Sequence, residues 1–199
     1  MGMEEWGVEM KLGLFGGSFD PVHLGHLLVA QAALEELELD GVCFIPATQS
    51  PFKPDAQPAP AEVRLRFLRL ALAGLPWAEV DAQEIVRGGV SYTIDTVREY
   101  VRKFPSARLH WLIGADHVAM LPTWRDPAEL AQLVEFVVIP RPGDAEVPLP
   151  KPFRGRTLRG FPLGVSSSQI RARVKAGLPV GFLVPAAVAE TIRNSRLYL

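Results

Sequence analysis

Apolar and polar positions fall into short blocks along this chain, and the blocks carry two different periods. Met10–Phe15 is an apolar run of strand length that halts at Gly16-Gly17. From Leu24 to Glu38 the apolar residues Leu24, Leu27, Leu28, Ala32 and Leu34 return at helical spacing. Val42–Ile45 is apolar throughout and stops at Pro46. Strand, helix and strand in so short a stretch predict a right-handed crossover between parallel strands. The alternation continues with a helix over Ala61–Gly74, its charged face carrying Glu62, Arg64, Arg66 and Arg69 and its apolar face Val63, Phe67, Leu68 and Leu70. Trp77–Val80 reads as a strand, Thr93–Phe104 as a helix, Arg108–Ile113 as a strand and Pro127–Leu133 as a short helix. Phe136–Ile139 is a buried strand ended by Arg141-Pro142-Gly143, and a proline- and glycine-rich loop then runs to Pro152. Leu158–Phe161 is the candidate for a last strand, and Ser167–Ala176 and Pro185–Asn194 close the chain as helices. The fold class that follows is α/β, a doubly wound parallel sheet of Rossmann-like type, with its site at the carboxyl ends of the strands. Residues 1–199 read as a single domain whose C-terminal helical part spans about 164–199.

Composition narrows the class of partner. A net charge of −1 argues against a dedicated nucleic-acid binder, although local clustering can still create a positive pocket. No apolar run approaches the ~18 residues of a membrane span. Met1–Lys11 carries Glu4, Glu5 and Glu9 instead of a basic-then-apolar export pattern. Cys43, the only cysteine, lies in the apolar run Val42-Cys43-Phe44-Ile45 and reads as a small buried hydrophobe. A cytoplasmic protein with no membrane and no nucleic-acid partner is expected; oligomeric state is not legible. Asn194 is the only asparagine, which heat adaptation and genomic base bias would produce equally.

The chemistry begins where the first strand ends, in Gly13-Leu14-Phe15-Gly16-Gly17-Ser18-Phe19-Asp20-Pro21-Val22-His23-Leu24-Gly25-His26. The spacing is neither the dinucleotide fingerprint nor a Walker loop. Its position nevertheless suits phosphate, because a glycine turn opens a helix whose amides face the ligand. Gly16 and Gly17 let the backbone approach closely, and Asp20-Pro21 are expected to cap and start the helix. His23 and His26, three apart, share a face and offer two donors to a polyphosphate. One surface and one core histidine is the plain alternative; a zinc pair has no nearby third ligand, so no metal-binding residue is expected. Near the C-terminus, Val165-Ser166-Ser167-Ser168-Gln169-Ile170-Arg171 places Ser167 or Ser168 to cap a helix and Arg171 to project from its first turn. Alone, that is ordinary helix punctuation.

Together the two segments become specific. Gly-Gly-Ser-Phe-Asp-Pro-x-His-x-Gly-His resembles the first motif of the H-x-G-H nucleotidyltransferase superfamily, and the C-terminal segment resembles its I-S-S-T/S-x-I-R motif. Glu84-Ile85-Val86-Arg87-Gly88-Gly89-Val90-Ser91-Tyr92-Thr93-Ile94-Asp95-Thr96 is similar to the E-x-x-R-x-G-x-S-Y-T-x-D-T segment of bacterial nicotinate mononucleotide adenylyltransferases. Leu112-Ile113-Gly114-Ala115-Asp116 with Leu121-Pro122-x-Trp124 is similar to their L-I-G-A-D…L-P-x-W segment, and Leu183-Val184-Pro185 with Leu197-Tyr198 to their closing helix. The likeness runs in order from about Lys11 to Leu199.

The resemblance implies adenylyl transfer from ATP to nicotinic acid mononucleotide, giving deamido-NAD and pyrophosphate in NAD biosynthesis. It implies a catalytic set of His23, His26 and Arg171. ATP would meet Gly16, Gly17, Ser18, Phe19, Gly114, Asp116, Ser166, Ser167 and Ser168, with Asp116 near the ribose hydroxyls. The mononucleotide would meet Lys53, Thr93, Trp124 and Arg125, with Trp124 stacked on the pyridine ring and the nicotinate carboxylate against backbone amides near Thr93. Mg2+ would be held mainly by the ATP phosphates. The family often shows P-x-x-x-P-P-H-K after its second strand, whereas this chain reads Pro46-Ala47-Thr48-Gln49-Ser50-Pro51-Phe52-Lys53, with Lys53 in register and a Phe replacing the His. Nicotinamide mononucleotide or phosphopantetheine as acceptor, and a nucleotide-sensing domain without turnover, are the alternative readings. Phosphopantetheine relatives usually carry Thr where His23 stands, and a class I aminoacyl-tRNA synthetase would be longer.

Overall fold

A computed structural model of the chain describes residues 10–52, 57–140, 143, 147–161 and 163–199. Lys53, the Arg141-Pro142 stop and the acidic N-terminal stretch therefore lie outside the described residues. The strands are Lys11–Gly17 (β1), Gly41–Pro46 (β2), Ala78–Val80 (β3), Arg108–Gly114 (β4), Glu135–Ile139 (β5) and Gly155–Thr157 (β6). The helices are Leu24–Leu37 (α1), Ala61–Leu72 (α2), Gln83–Arg87 (α3), Thr93–Lys103 (α4), Ala115–Val118 (α5), Pro127–Leu133 (α6), Ser167–Lys175 (α7) and Ala186–Ser195 (α8), with a 3-10 turn at Leu121–Thr123. The sheet order is β3-β2-β1-β4-β5-β6, and every adjacent pair is parallel. The order reverses between β1 and β4, which opens a crevice at their carboxyl ends.

Side chains alternate across the sheet with a period of two, so each strand feeds two cores. Leu12 and Leu14 of β1, Cys43 and Ile45 of β2, and Trp111 and Ile113 of β4 point to the face covered by α4 and α6, where Ile94, Val97, Tyr100 and Leu130 meet them. Phe15, Val42, Phe44, Leu112 and Val137 point to the other face, under Ala30 and Ala33 of α1, Phe67 and Leu68 of α2, Ile170 of α7 and Val188 and Ile192 of α8. Burial on both faces explains why the strands read as continuous apolar runs. Cys43 is buried, as its neighbours suggest. No helix among the described residues is long and apolar enough to cross a membrane.

The expected last strand is displaced. The sheet takes Gly155–Thr157, where Val137 pairs with Arg156, and not Leu158–Phe161. The Leu158 amide still donates to the Val138 carbonyl at 2.9 Å, but the Glu36 carboxylate then takes the Arg159 and Gly160 amides at 3.0 and 2.8 Å and leads the chain away. Gly155 is what makes this edge possible, because a Cβ there would lie 1.8 Å from the Phe136 carbonyl oxygen and φ is +150°. The charged face expected of α2 is also broken: Arg64 is 1% exposed. The short elements α3, α5 and the 3-10 turn contain too few residues to show a hydrophobic period.

Gly155→Ala is expected to destabilise the protein by about 2 kcal/mol or more, since it combines a Gly-only backbone conformation with a main-chain clash. Urea unfolding of the two proteins measures it. An unchanged midpoint would show that β6 can move off the sheet edge freely.

Candidate active site

His23 does not sit on the first helical turn; it is the N-cap of α1, in extended conformation. The two histidines cap each other. The His26 amide donates to His23 Nδ1 at 3.3 Å, and the His23 amide donates to His26 Nδ1 at 3.1 Å. Their rings stack with centroids 3.6 Å apart. Since each Nδ1 accepts from an amide, each neutral ring carries its proton on Nε2. Burial pushes the His23 pKa down to about 4, and burial followed by repulsion from His23 holds His26 well below the usual histidine range. The pair is thus a set of two uncharged Nε2–H donors at neutral pH. Gly25 suits this packing, because a Cβ would stand 3.0 Å from His23 Nδ1, a tight contact.

Several local expectations change. Asp20 does not cap α1; its buried carboxylate accepts from the Ala59 amide at 3.2 Å and the Tyr198 hydroxyl at 2.6 Å, and faces Arg171 Nη1 at 3.7 Å. The Leu24 amide donates to the Leu183 carbonyl at 2.9 Å, so it and the His26 amide are already bonded within the protein. The cap of α7 is Ser166, not Ser167 or Ser168: its hydroxyl accepts from the Gln169 amide at 3.2 Å while the Gln169 side chain accepts from the Ser166 amide at 2.9 Å. Ser167 instead donates its hydroxyl to the Pro21 carbonyl at 2.9 Å, which ties the two motifs together. Arg171 donates to the Asp20 carbonyl at 2.7 Å and to the Ser168 hydroxyl at 3.3 Å, bracing a half-exposed guanidinium. Gly16 and Gly17 make room for aromatic rings. A Cβ at Gly16 would lie 2.6 Å from the Trp111 indole, and one at Gly17 3.2 Å from the Phe19 ring.

Two cavities open at the crevice. The larger, about 960 Å3, is lined by His23, His26, Arg171, Gly16, Ser18, Phe19, Gly114, Asp116 and Ser166–Ser168. The smaller, about 300 Å3, is lined by Gly17, Phe52, Glu84, Ser91, Tyr92, Thr93, Trp124 and Arg125. Every residue expected near ATP except Gly17 therefore lines the larger cavity, and Thr93, Trp124 and Arg125 line the smaller. The two share Phe15, Gly16, Ser18, Ala47, Ser50, Gly114 and His117, so they meet at the ends of β1 and β4 and the loop after β2.

Trp124 is half-buried, with its ring 5.6 Å from Phe52 and 6.2 Å from Phe136, and its Nε1 has no hydrogen-bond partner among the described residues. Arg125 stands at the rim, over the Tyr92 ring at 4.7 Å and 3.4 Å from the Asp95 carboxylate. Thr93 opens α4. The loop after β2 is sewn to this corner, the Thr48 amide donating to the Ser91 hydroxyl at 2.9 Å and the Ser91 amide to the Gln49 carbonyl at 2.9 Å.

Two residues escaped the sequence reading. Glu84 is a buried carboxyl on the smaller cavity; burial raises its pKa, against the hydrogen bond from the Thr96 hydroxyl at 2.6 Å. It was visible in a motif but carried no assignable role. Arg64 donates to the Ser18, Ala47 and Ala59 carbonyls at 2.9, 2.8 and 2.9 Å, clamping the loops that follow β1 and β2. Its helical position placed it on a charged face, and no sequence signal marks it.

A doubly wound parallel sheet with a donor-lined crevice where the strand order reverses defines a nucleotide-binding α/β protein. The cytidylyltransferase-like family matches residues 14–173. The probable nicotinate-nucleotide adenylyltransferase of Opitutus terrae is 43% identical over 95% of this chain and 98% of its own, and that of Gemmatimonas aurantiaca is 44% identical over 95% and 92%. The Plasmodium falciparum nicotinic acid mononucleotide adenylyltransferase complexed with NaAD superposes with a TM-score of 0.76 over 95% of this chain and 97% of that one; at 14% identity this is a likeness of fold. The chain belongs to the cytidylyltransferase-like family, in its nicotinate-nucleotide adenylyltransferase branch.

The histidine pair has a measurable signature. A folded pKa of about 4 against an ordinary 6.5 means that the unfolded chain binds more protons between those values. His23 therefore contributes stability that is present above pH 6.5 and is lost as pH falls towards 4, up to roughly 3 kcal/mol. His23→Asn keeps a side-chain cap but cannot titrate, so its denaturation midpoint should fall less between pH 6.5 and 4.5 than the wild type's. Parallel losses in both proteins would mean that His23 is not held neutral.

Proposed function

We propose that the chain transfers the adenylyl group of ATP to nicotinic acid mononucleotide, producing deamido-NAD and pyrophosphate for NAD biosynthesis in the cytoplasm. The observation that carries this reading is the meeting of the two cavities, one walled by the stacked histidines and Arg171, the other by Trp124 and the start of α4. The names of relatives above 40% identical support the same substrate pair. In this reading ATP lies in the larger cavity and the mononucleotide in the smaller, with its phosphate directed at the junction.

One oxygen of the mononucleotide phosphate attacks the α-phosphorus of ATP in line. A new P–O bond forms, the bond to the β-phosphate oxygen breaks, and its electron pair leaves with pyrophosphate. The attacking phosphate is already ionised near neutral pH, so no general base is required and no covalent enzyme intermediate forms. The enzyme's task is alignment and stabilisation of the charge that develops. His23 and His26 supply preorganised Nε2–H donors, and Arg171 supplies a fixed positive charge. Beside them Ser166, Ser167 and Ser168 line the same wall, chemistry that fits phosphate oxygens, so a Mg2+ ion would ride on the ATP phosphates and neutralise them there.

In the smaller cavity, Trp124 offers a face for the electron-poor pyridine ring. Main-chain N–H groups near Thr93 and just after Trp124 would receive the nicotinate carboxylate. Asp116, exposed on the larger cavity, suits ribose hydroxyls. Lys53 would also contact the mononucleotide, as the family resemblance implies.

Assay of the purified protein with ATP and each mononucleotide tests the proposal. Nicotinic acid mononucleotide is expected to react one to two decades faster in kcat/KM than nicotinamide mononucleotide, because a carboxamide leaves a donor unpaired at about 1–3 kcal/mol. Equal values would sink the carboxylate pocket, and no pyrophosphate release with either would sink the reaction. His26→Ala should lower kcat by roughly 100-fold or more, and near wild-type turnover in a folded variant would remove the pair from the mechanism.

A further inference from the structure

We propose that His117 binds the phosphate of the acceptor mononucleotide, acting as a third imidazole at the transfer site; this rests on the adenylyl-transfer reading above. Among the described residues that line both cavities, His117 alone has an ionisable side chain. The stacked pair and Arg171 line the larger cavity but not the smaller, so they face ATP. An in-line displacement also needs a donor on the entering side, where the acceptor's phosphate arrives. Arg125, which lines the smaller cavity, is engaged at its rim by Tyr92 and Asp95.

His117 is built into position. It lies on α5, directly after Gly114 at the carboxyl end of β4, and its neighbour Val118 is fully buried. Its Nδ1 is buried and has no hydrogen-bond partner among the described residues. Its Nε2 stands 3.7 Å from the Asp116 carboxylate, too far for a hydrogen bond. The ring is flanked by Phe52 with centroids 5.6 Å apart, and Phe52 in turn touches Trp124. Phe52 stands where the family pattern often carries histidine, and a phenyl ring cannot donate to a phosphate. The neighbouring imidazole can. The side chain is 35% exposed, so the open edge of the ring, and not the covered Nδ1, is what a phosphate would meet.

The test compares His117→Leu with His117→Gln in the full chain. Leucine keeps apolar bulk and removes the donor, whereas glutamine keeps an N–H. Quenching of tryptophan fluorescence reads binding of nicotinic acid mononucleotide and of its ribonucleoside, which lacks the phosphate. His117→Leu should weaken mononucleotide binding about 10-fold or more while ribonucleoside binding stays within about 2-fold. In turnover, kcat/KM for the mononucleotide should fall at least as much, with the KM for ATP within about 2-fold, and His117→Gln should recover most of the loss. Equal losses for mononucleotide and ribonucleoside would overturn the proposal, because a packing role would produce them. So would wild-type binding in His117→Leu, or a glutamine variant as impaired as the leucine one. Should His117→Leu fail to fold, His117→Ala, which also lacks a side-chain donor, carries the same comparison against the ribonucleoside. Should the wild type bind the mononucleotide without turning it over, the function proposed above falls, and the binding comparison still decides His117.

Discussion

The reciprocal cap between His23 and His26 is the contact on which the site depends. Each backbone amide donates to the other residue's Nδ1, so helix initiation, tautomer and ring orientation are set by one pair of hydrogen bonds. Stacking at 3.6 Å would be repulsive between two charged rings; burial keeps both neutral and removes that penalty. Gly25 belongs to the same device, because any side chain there would press on His23. The H-x-G-H spacing is therefore a packing solution before it is a catalytic one.

A second constraint joins the ends of the chain. Four contacts hold the first motif to the last quarter of the sequence: Tyr198 and Arg171 on Asp20, Ser167 on the Pro21 carbonyl, and the Leu24 amide on the Leu183 carbonyl. Asp20 is the hub, and it is buried. A buried carboxylate needs donors, and here they come from the Ala59 amide and the Tyr198 hydroxyl, with Arg171 adding charge. Arg64 performs the complementary task with three carbonyls, holding the loops after β1 and β2 in one arrangement. The crevice is thus framed by polar groups that the interior would otherwise penalise.

The two cavities inherit their difference from these frames. The larger is walled by donors drawn from α1 and α7, the smaller by aromatic rings and the start of α4. Polyanion on one side and flat ring on the other is the division of labour that joining two nucleotides demands. His117 stands at the wall between them.

Period and punctuation determined much of this protein from the sequence alone. Strands buried on both faces read as unbroken apolar runs, helices as 3.6-residue patterns, and together they specify a parallel doubly wound sheet; two spaced motifs then mark phosphate chemistry. The displaced last strand shows the boundary of such reading, since Leu158–Phe161 has the apolar character but Glu36, distant in sequence, takes its amides, and Gly155 alone can approach Phe136. The burial of Arg64, the part played by Asp20 and the place of His117 between the cavities are equally tertiary. Each depends on which distant carbonyl, hydroxyl or ring arrives beside it, and a local pattern carries no record of contacts made across the chain.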